Sequence, residues 1–384
     1  MAVAEANSHL ICGADVLTPS GWQEFDLSVV DGMISDGTEG RGDVLDASGL
    51  KIVPGYIDLQ INGGWGHDLQ REPAALWALA RRLVEVGVTS FLPTLTTNGF
   101  SRRREALSVW RAGPPERSSF VGADPLGWHL EGPWLAPSRH GAHSRELLQA
   151  MPSVVPPEYT PAQGVRLVTL APELRGALRM IEALCRQGVV VSCGHSEATT
   201  DQARAAFAAG ATMGTHLFNA MSGLHHRNVG LAAALLMEDC FLGIIVDGAH
   251  VDPEMVKLAW RLAEGRLIAT SDGVAVVGTG AASATGDAVR LFDGTLAGSS
   301  IALDAAVRNL VSFTGCGLGP AVLSASDVPA RCLGLADRGR IEIGRRADLV
   351  GLDPDGRVVL TFVAGRLLWD QRPPSKFSRV ADRL

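Results

Sequence analysis

Apolar residues recur along this chain in two textures, and the change from one to the other divides it into ends and middle. Up to about residue 52 the runs are short and alternating, as in HLICGADVLTP, FDLSVVDGMISDG and DVLDASGLKIVPG, and Gly and Asp break them. Alternation at period two with such punctuation predicts β-hairpins rather than helices. The same texture returns near the C-terminus in GRIEIGRRADLVGLDPDGRVVLTFVAGRLLWD, with a turn signal at Asp355-Gly356. Separate hairpins would be marginal alone, so residues 1–52 and 340–384 are expected to pair into one small β-sandwich.

Between them, apolar strand-like runs alternate with helical patterns. The runs occupy 56–62, 88–95, 126–131, 165–173, 189–195, 211–216, 242–247 and 267–272; PAALWALARRLVEVG and DPEMVKLAWRLAEG are two of the helical segments that follow them. Continuous apolar strands separated by helices predict a parallel sheet covered by helices. Eight such units predict an α/β fold with a (β/α)8 barrel over 53–339, and a doubly wound sheet is the alternative.

A barrel gathers the C-terminal ends of its strands into one mouth, and these ends are polar. The first run ends on Gln60 and Asn62, the third on Glu131, the fifth on His195, the sixth on His216, the seventh on Asp247 with His250 close behind, and the eighth on Asp272. Either histidine alone reads as a core residue bonded to backbone. Two imidazoles on adjacent strands with Glu131 instead make a three-ligand set for one divalent metal, zinc first and iron, cobalt or manganese as alternatives. Asp272 is a fourth ligand, a general base or a helix cap; VAVVGTGAASATGD, which soon follows it, has no amphipathic helical pattern and disfavours the cap. His129, two residues before Glu131, is expected beneath the metal rather than on it. Cys193 is expected to face the same way as His195 and to pack in the core.

Composition removes several function classes. Net charge is −7, so no nucleic-acid footprint is expected, although a local basic spot could hold a small anion. The apolar run LAAALLMEDCFLGIIV is interrupted by Glu238 and Asp239, so no membrane span is expected. The first residues lack a basic region and carry Glu5, against a secretory leader. The six cysteines form no CxxC pair and read as free thiols in a reducing cytoplasm.

The motifs PGYIDLQINGG, HLEGPWL, GHSEAT, THLFNAM, DGAHV and SDG occur in this order. Together they resemble the N-acetylglucosamine-6-phosphate deacetylases of the amidohydrolase superfamily, over nearly the whole chain. The resemblance implies that Glu131, His195 and His216 hold the metal, that Asp272 is the catalytic acid/base and that His143 stabilises the oxyanion. It implies substrate contacts from Ala142 with His143, Asn219 with Ala220, Arg227, the turn Asp247, Gly248, Ala249 and His250, and the stretch Leu296, Ala297 and Gly298. Phosphate would meet backbone N–H groups near Asn219-Ala220 and the Arg227 guanidinium. It further implies a homodimer with phosphate contacts partly supplied across the interface.

Two features separate this chain from many amidohydrolases. Gln60 and Asn62 stand where a His-x-His pair is common, as vestigial second-metal positions, so one metal is expected rather than two. Only three lysines occur, Lys51, Lys257 and Lys376, and none lies on the fourth run, where binuclear relatives carry a carboxylated lysine. The Gly- and Ala-rich stretch within 273–290 is expected to be a flap. The implied reaction is hydrolysis of N-acetyl-D-glucosamine 6-phosphate to D-glucosamine 6-phosphate and acetate: metal-activated water attacks the amide, and Asp272 is base and then acid. Alternatives are N-acetylgalactosamine 6-phosphate or another N-acyl substrate, and a non-catalytic sugar-phosphate sensor.

Overall fold

The computed structural model describes residues 8–36, 43–117, 119–263, 265–280, 288–372 and 377–379. Each of the eight central runs contains a strand: β1 (Tyr56–Ile61), β2 (Val88–Leu95), β3 (Trp128–Glu131), β4 (Val165–Leu170), β5 (Val190–Cys193), β6 (Met213–Gly214), β7 (Phe241–Ile245) and β8 (Leu267–Thr270). Every consecutive pair is parallel. The gap between β8 and β1 is laced by the Asp272 N–H on Gln60 O at 2.9 Å and by a parallel bridge between Ile61 and Gly273. The result is a nearly closed (β/α)8 barrel, as expected, not an open doubly wound sheet.

Helices cover it where the pattern placed them. The helix Pro253–Leu262 starts where Asp252 accepts the Glu254 N–H at 2.9 Å, with Pro253 at its first position, and it buries Val256 and Ala259. The helix Thr200–Ala208 opens on a capping box between Thr199 and Gln202, which stops the chain close after β5. No helix follows β3. The chain runs instead through a long loop with short 3-10 turns, and that loop carries Arg139 and His143.

Both chain ends meet in two further sheets. Strand Leu349–Leu352 pairs antiparallel with Lys51–Pro54 in one, and Phe377–Arg379 pairs with Asp43–Asp46 in the other. Ile11, Leu27, Val29 and Leu45 from one sheet pack with Val16, Ile52, Leu360 and Phe362 from the other, giving a single apolar core. At the barrel floor Leu59, Leu92, Leu167, Met213 and Ile268 meet Val328 and Cys332 of the helix Asp327–Cys332. Among the described residues no helix is long and apolar enough to cross a membrane. Cys185, Cys193, Cys240 and Cys332 are free thiols. Much of the expected flap, residues 281–287, lies outside the described residues.

Candidate active site

Most of the site-bearing strands stop short of the polar residue that ends their apolar run; β7 stops at Ile245 and β8 at Thr270. β5 stops at Cys193 and β6 at Gly214, so neither strand ends on its histidine. The reason is local: His195 (φ 49°) and His216 (φ 30°) adopt left-handed backbone, as do Asp272 (45°) and Ala220 (48°). Such a conformation is strained for non-glycine residues and clusters at functional sites. It also overturns the expectation that Cys193 and His195 face the same way. Cys193 packs in the outer apolar layer, while the left-handed turn aims His195 into the mouth.

The three predicted ligands converge. Glu131 Oε1 lies 3.1 Å from His195 Nε2 and 3.0 Å from His216 Nε2, and the two Nε2 atoms are 3.0 Å apart. Among the described residues this triad is the one His/Cys/Asp/Glu group compact enough to hold a metal ion. All three are buried. His195 Nδ1 is 2.8 Å from the Arg139 carbonyl, which accepts its proton and leaves Nε2 as a lone pair. Burial and the neighbouring His143 push the His195 pKa down to about 4, so it is a neutral imidazole. Burial alone would raise the Glu131 carboxyl, but the imidazoles of His143, His195 and His216 around it hold it well below its ordinary value. A carboxylate and ring nitrogens converging this closely, out of water, repel one another unless a cation lies among them. The residues present therefore fit a divalent metal.

Asp272 stands beside the triad. Its Oδ1 accepts from Asn62 Nδ2 at 2.7 Å and Gln60 Nε2 at 3.1 Å, and Gln60 Nε2 also lies 3.2 Å from Glu131 Oε1. The two amides thus donate to carboxylates. Asp272 caps no helix, since turns follow it. Burial, then the Glu131 charge, raises its pKa to about 6.

His143 comes from the loop after β3, with Nε2 3.6 Å from Glu131 Oε2. The Thr97 backbone N–H donates to its Nδ1 at 3.1 Å, so the ring proton sits on Nε2 and faces the site. Thr97 is a partner that the sequence offered no signal for. Beneath the ligands, His129 joins a hydrogen-bonded belt. Its Nε2 is 2.7 Å from Thr169 Oγ1, Thr169 reaches Thr215 at 2.7 Å, and Thr215 reaches Ser192 at 2.6 Å. His129 is fully buried and lies outside the cavity lining, so it supports the site from below as expected.

These groups open into a cavity of about 630 Å³, within the ordinary range for a small-molecule site. Of the residues expected to contact substrate, Ala142, His143, Asn219, Ala220, His250, Leu296, Ala297 and Gly298 line it. Asp247, Gly248 and Ala249 do not. Asp247 instead accepts from the His250 ring at 2.6 Å and from the Ala249 and His250 N–H groups, which holds His250 in place. Arg227 is exposed on the 223–229 loop, outside the cavity. The lining also contains residues that sequence reasoning passed over, among them Arg139, Asp68 and Val274.

Residues 52–368 match the model of the amidohydrolase family. The chain is 37% identical over 352 residues to the N-acetylglucosamine-6-phosphate deacetylase of Mus musculus, covering 84% of this chain and 85% of the mouse protein. It is 36% identical over 384 residues to the N-acetylgalactosamine-6-phosphate deacetylase of Escherichia coli O157:H7, covering 94% of this chain and 99% of that one. Among solved structures, a mutant N-acetyl-D-glucosamine-6-phosphate deacetylase from Mycobacterium smegmatis, in complex with N-acetyl-D-glucosamine 6-phosphate, superposes with a TM-score of 0.85. Its identity to this chain is 31%, and the match covers 94% of this chain and 99% of that one.

Proposed function

The chain belongs to the amidohydrolase family, among its N-acetylglucosamine-6-phosphate deacetylases, and on that premise we propose that it cleaves N-acetyl-D-glucosamine 6-phosphate to D-glucosamine 6-phosphate and acetate. The observation that carries this reading is that Asp272 and His143 line one cavity with the Glu131–His195–His216 triad.

Glu131 Oε1 and the Nε2 atoms of His195 and His216 would hold the metal. When bound, a divalent cation polarises the amide carbonyl and lowers the pKa of a coordinated water to about 7. Asp272 would accept a proton from the attacking water as the water oxygen bonds to the carbonyl carbon. The Nε2–H of His143 donates to the carbonyl oxygen as negative charge grows there. Asp272 then delivers its proton to the nitrogen as the carbon–nitrogen bond breaks, so the amine leaves neutral. Asn62 and Gln60 hold Asp272 in line throughout. The orphaned acceptors Gln60 Oε1 and Asn62 Oδ1 are poor ligands beside imidazole, which supports one metal rather than two.

Zinc is the first candidate for that metal, since two imidazoles and a carboxylate with open positions suit it. The Ala220 N–H, which finds no acceptor among the described residues, would receive the 6-phosphate. A homodimer would let the exposed Arg227 of one copy reach the other's phosphate. Free thiols at Cys185, Cys193, Cys240 and Cys332 suit a cytoplasmic enzyme.

Metal analysis and acetate release from the phosphorylated sugar test the reading directly. Stoichiometric metal with rapid release supports it; a metal-loaded protein that releases none would be a sugar-phosphate sensor. A second substrate, N-acetylgalactosamine 6-phosphate, is favoured by the near full-length match to its deacetylase. The two sugars differ only in the orientation of one ring hydroxyl, so their kcat/KM values measured side by side decide between them.

A further inference from the structure

A sugar phosphate brings up to two negative charges to the cavity. Among the described residues that line the cavity, only one is an arginine or lysine: Arg139. We propose that Arg139 is the cation, supplied by the same chain, that receives the 6-phosphate, and that Glu197 is the residue that orients it. This rests on the sugar-phosphate reading above and adds a specificity-determining residue to it.

Three relationships place the guanidinium. Arg139 donates side-on to Glu197, Nε to Oε1 at 2.6 Å and Nη2 to Oε2 at 3.2 Å. That grip leaves Nη1 and part of Nη2 free to meet an anion, because a guanidinium has five N–H donors in a fixed fork. Glu197 is itself anchored, its N–H donating to Glu173 Oε1 at 2.6 Å. The preceding residue, Ser196, donates its N–H to Ala220 O at 3.0 Å and accepts from Ser222 N–H at 2.9 Å. The ion pair therefore stands next to the Ala220 loop, and Ala220 lines the same cavity. On the other side, a Cβ built on Gly141 would lie 3.8 Å from Ala220 Cβ and 3.4 Å from His195 Cε1. Loop 139–142 and the Ala220 loop thus form the two walls of one recess.

Arg139 also has a second contact. Its carbonyl accepts the His195 Nδ1–H. Side chain and backbone of one residue thus address the two ends of the substrate, the phosphate and the reacting amide. Without the arginine, the Glu197 carboxylate beside this rim would be left without its ion-pair partner, which disfavours an anion there.

The test uses the metal-loaded protein as wild type, Arg139→Met and Arg139→Lys. D-glucosamine 6-phosphate and D-glucosamine are titrated calorimetrically, and acetate release from N-acetyl-D-glucosamine 6-phosphate is followed in parallel. The wild type should prefer the phosphorylated ligand. Arg139→Met should cut that preference about tenfold or more, as expected for a lost hydrogen-bonded charge pair. Arg139→Lys should keep a substantial part of it, and the kinetic loss should fall on KM rather than on kcat. A preference in Arg139→Met within twofold of wild type overturns the proposal while leaving the deacetylase reading intact. Loss of bound metal in both variants overturns it too, making Arg139 a support for His195 alone, and a wild type without preference overturns it together with the sugar-phosphate reading. Phosphate preference that depends on Arg139 without acetate release would instead sink the deacetylase reading and keep this one.

Discussion

Asn62 donates its side-chain amide to Oδ1 of Asp272 across 2.7 Å, joining the segments that follow the first and last barrel strands at the point where chemistry is proposed. Asp272 lies outside the compact Glu131–His195–His216 group. Replacing Asp272 by Asn should therefore leave metal content unchanged while lowering kcat by about 10²–10⁴-fold, the usual contribution of a positioned acid/base. Metal analysis and steady-state kinetics on one preparation check this. Near-full activity with metal retained would remove Asp272 from the mechanism.

Glu131→Gln and His216→Ala should each lose tight metal binding, since each removes one of three converging donors. A metal held only by the folded protein adds stability by mass action. Chelation should therefore lower the melting temperature of the wild type but leave that of either variant nearly unmoved. Thermal scans with and without chelator give the comparison, and an equal drop in all three proteins would refute the triad as the site.

How much of this was legible beforehand depended on the kind of signal. Strand runs and polar strand ends are repeated patterns, so the barrel and its converging Glu131, His195, His216 and Asp272 could be read from spacing. The outward-facing Cys193 could not, because a positive φ at His195 leaves no trace in residue type. Thr97 and Arg139 act through a backbone N–H and a backbone carbonyl, groups that every residue carries. Arg227 was implied by the family resemblance alone, yet it stands exposed and outside its own chain's cavity. The capping box at Thr199, by contrast, was written in the sequence as Thr-x-x-Gln.

His143 is buried with its Nε2–H directed at the site by the Thr97 N–H. His143→Ala should reduce kcat by about 10²–10³-fold, the scale of one oxyanion donor, with metal content retained. His143→Gln, which can still donate, should recover part of the loss. If kcat falls only with metal loss, the histidine is a structural prop.

Asp124, beside β2, accepts from Arg338 at 2.9 Å and Arg346 at 2.7 Å. Burial alone would raise its carboxyl, but the two arginines outweigh that and hold its pKa below the ordinary value. A depressed carboxyl stabilises the fold above its unfolded pKa of about 4 and loses that contribution as pH falls through the folded value. Wild type should thus be more stable than Asp124→Asn at pH 7, and the gap should close on acidification below about pH 4. Melting temperatures of both proteins across that range test it; a gap independent of pH would contradict the assignment.

Gly194 separates β5 from His195, and the space around it is already filled. A Cβ there would lie 2.9 Å from Thr215 Cβ and 3.0 Å from Thr169 Cγ2. Both threonines belong to the hydroxyl belt under the ligands, where Thr169 also holds His129. Gly194→Ala must therefore push the belt aside or shift the His195 backbone, and each choice costs stability, about 1–3 kcal/mol for overpacking. The two outcomes separate experimentally. If the belt yields, the melting temperature falls and metal affinity holds. If His195 yields, metal affinity falls as well, because one ligand leaves the convergence that Arg139 O and Glu131 impose on it. The belt is tied by hydrogen bonds across several strands, whereas His195 stands in a strained left-handed turn, so the second outcome is expected. Metal titration of the folded variant reads it, and wild-type affinity together with unchanged stability would show that the site tolerates a methyl group that the geometry forbids.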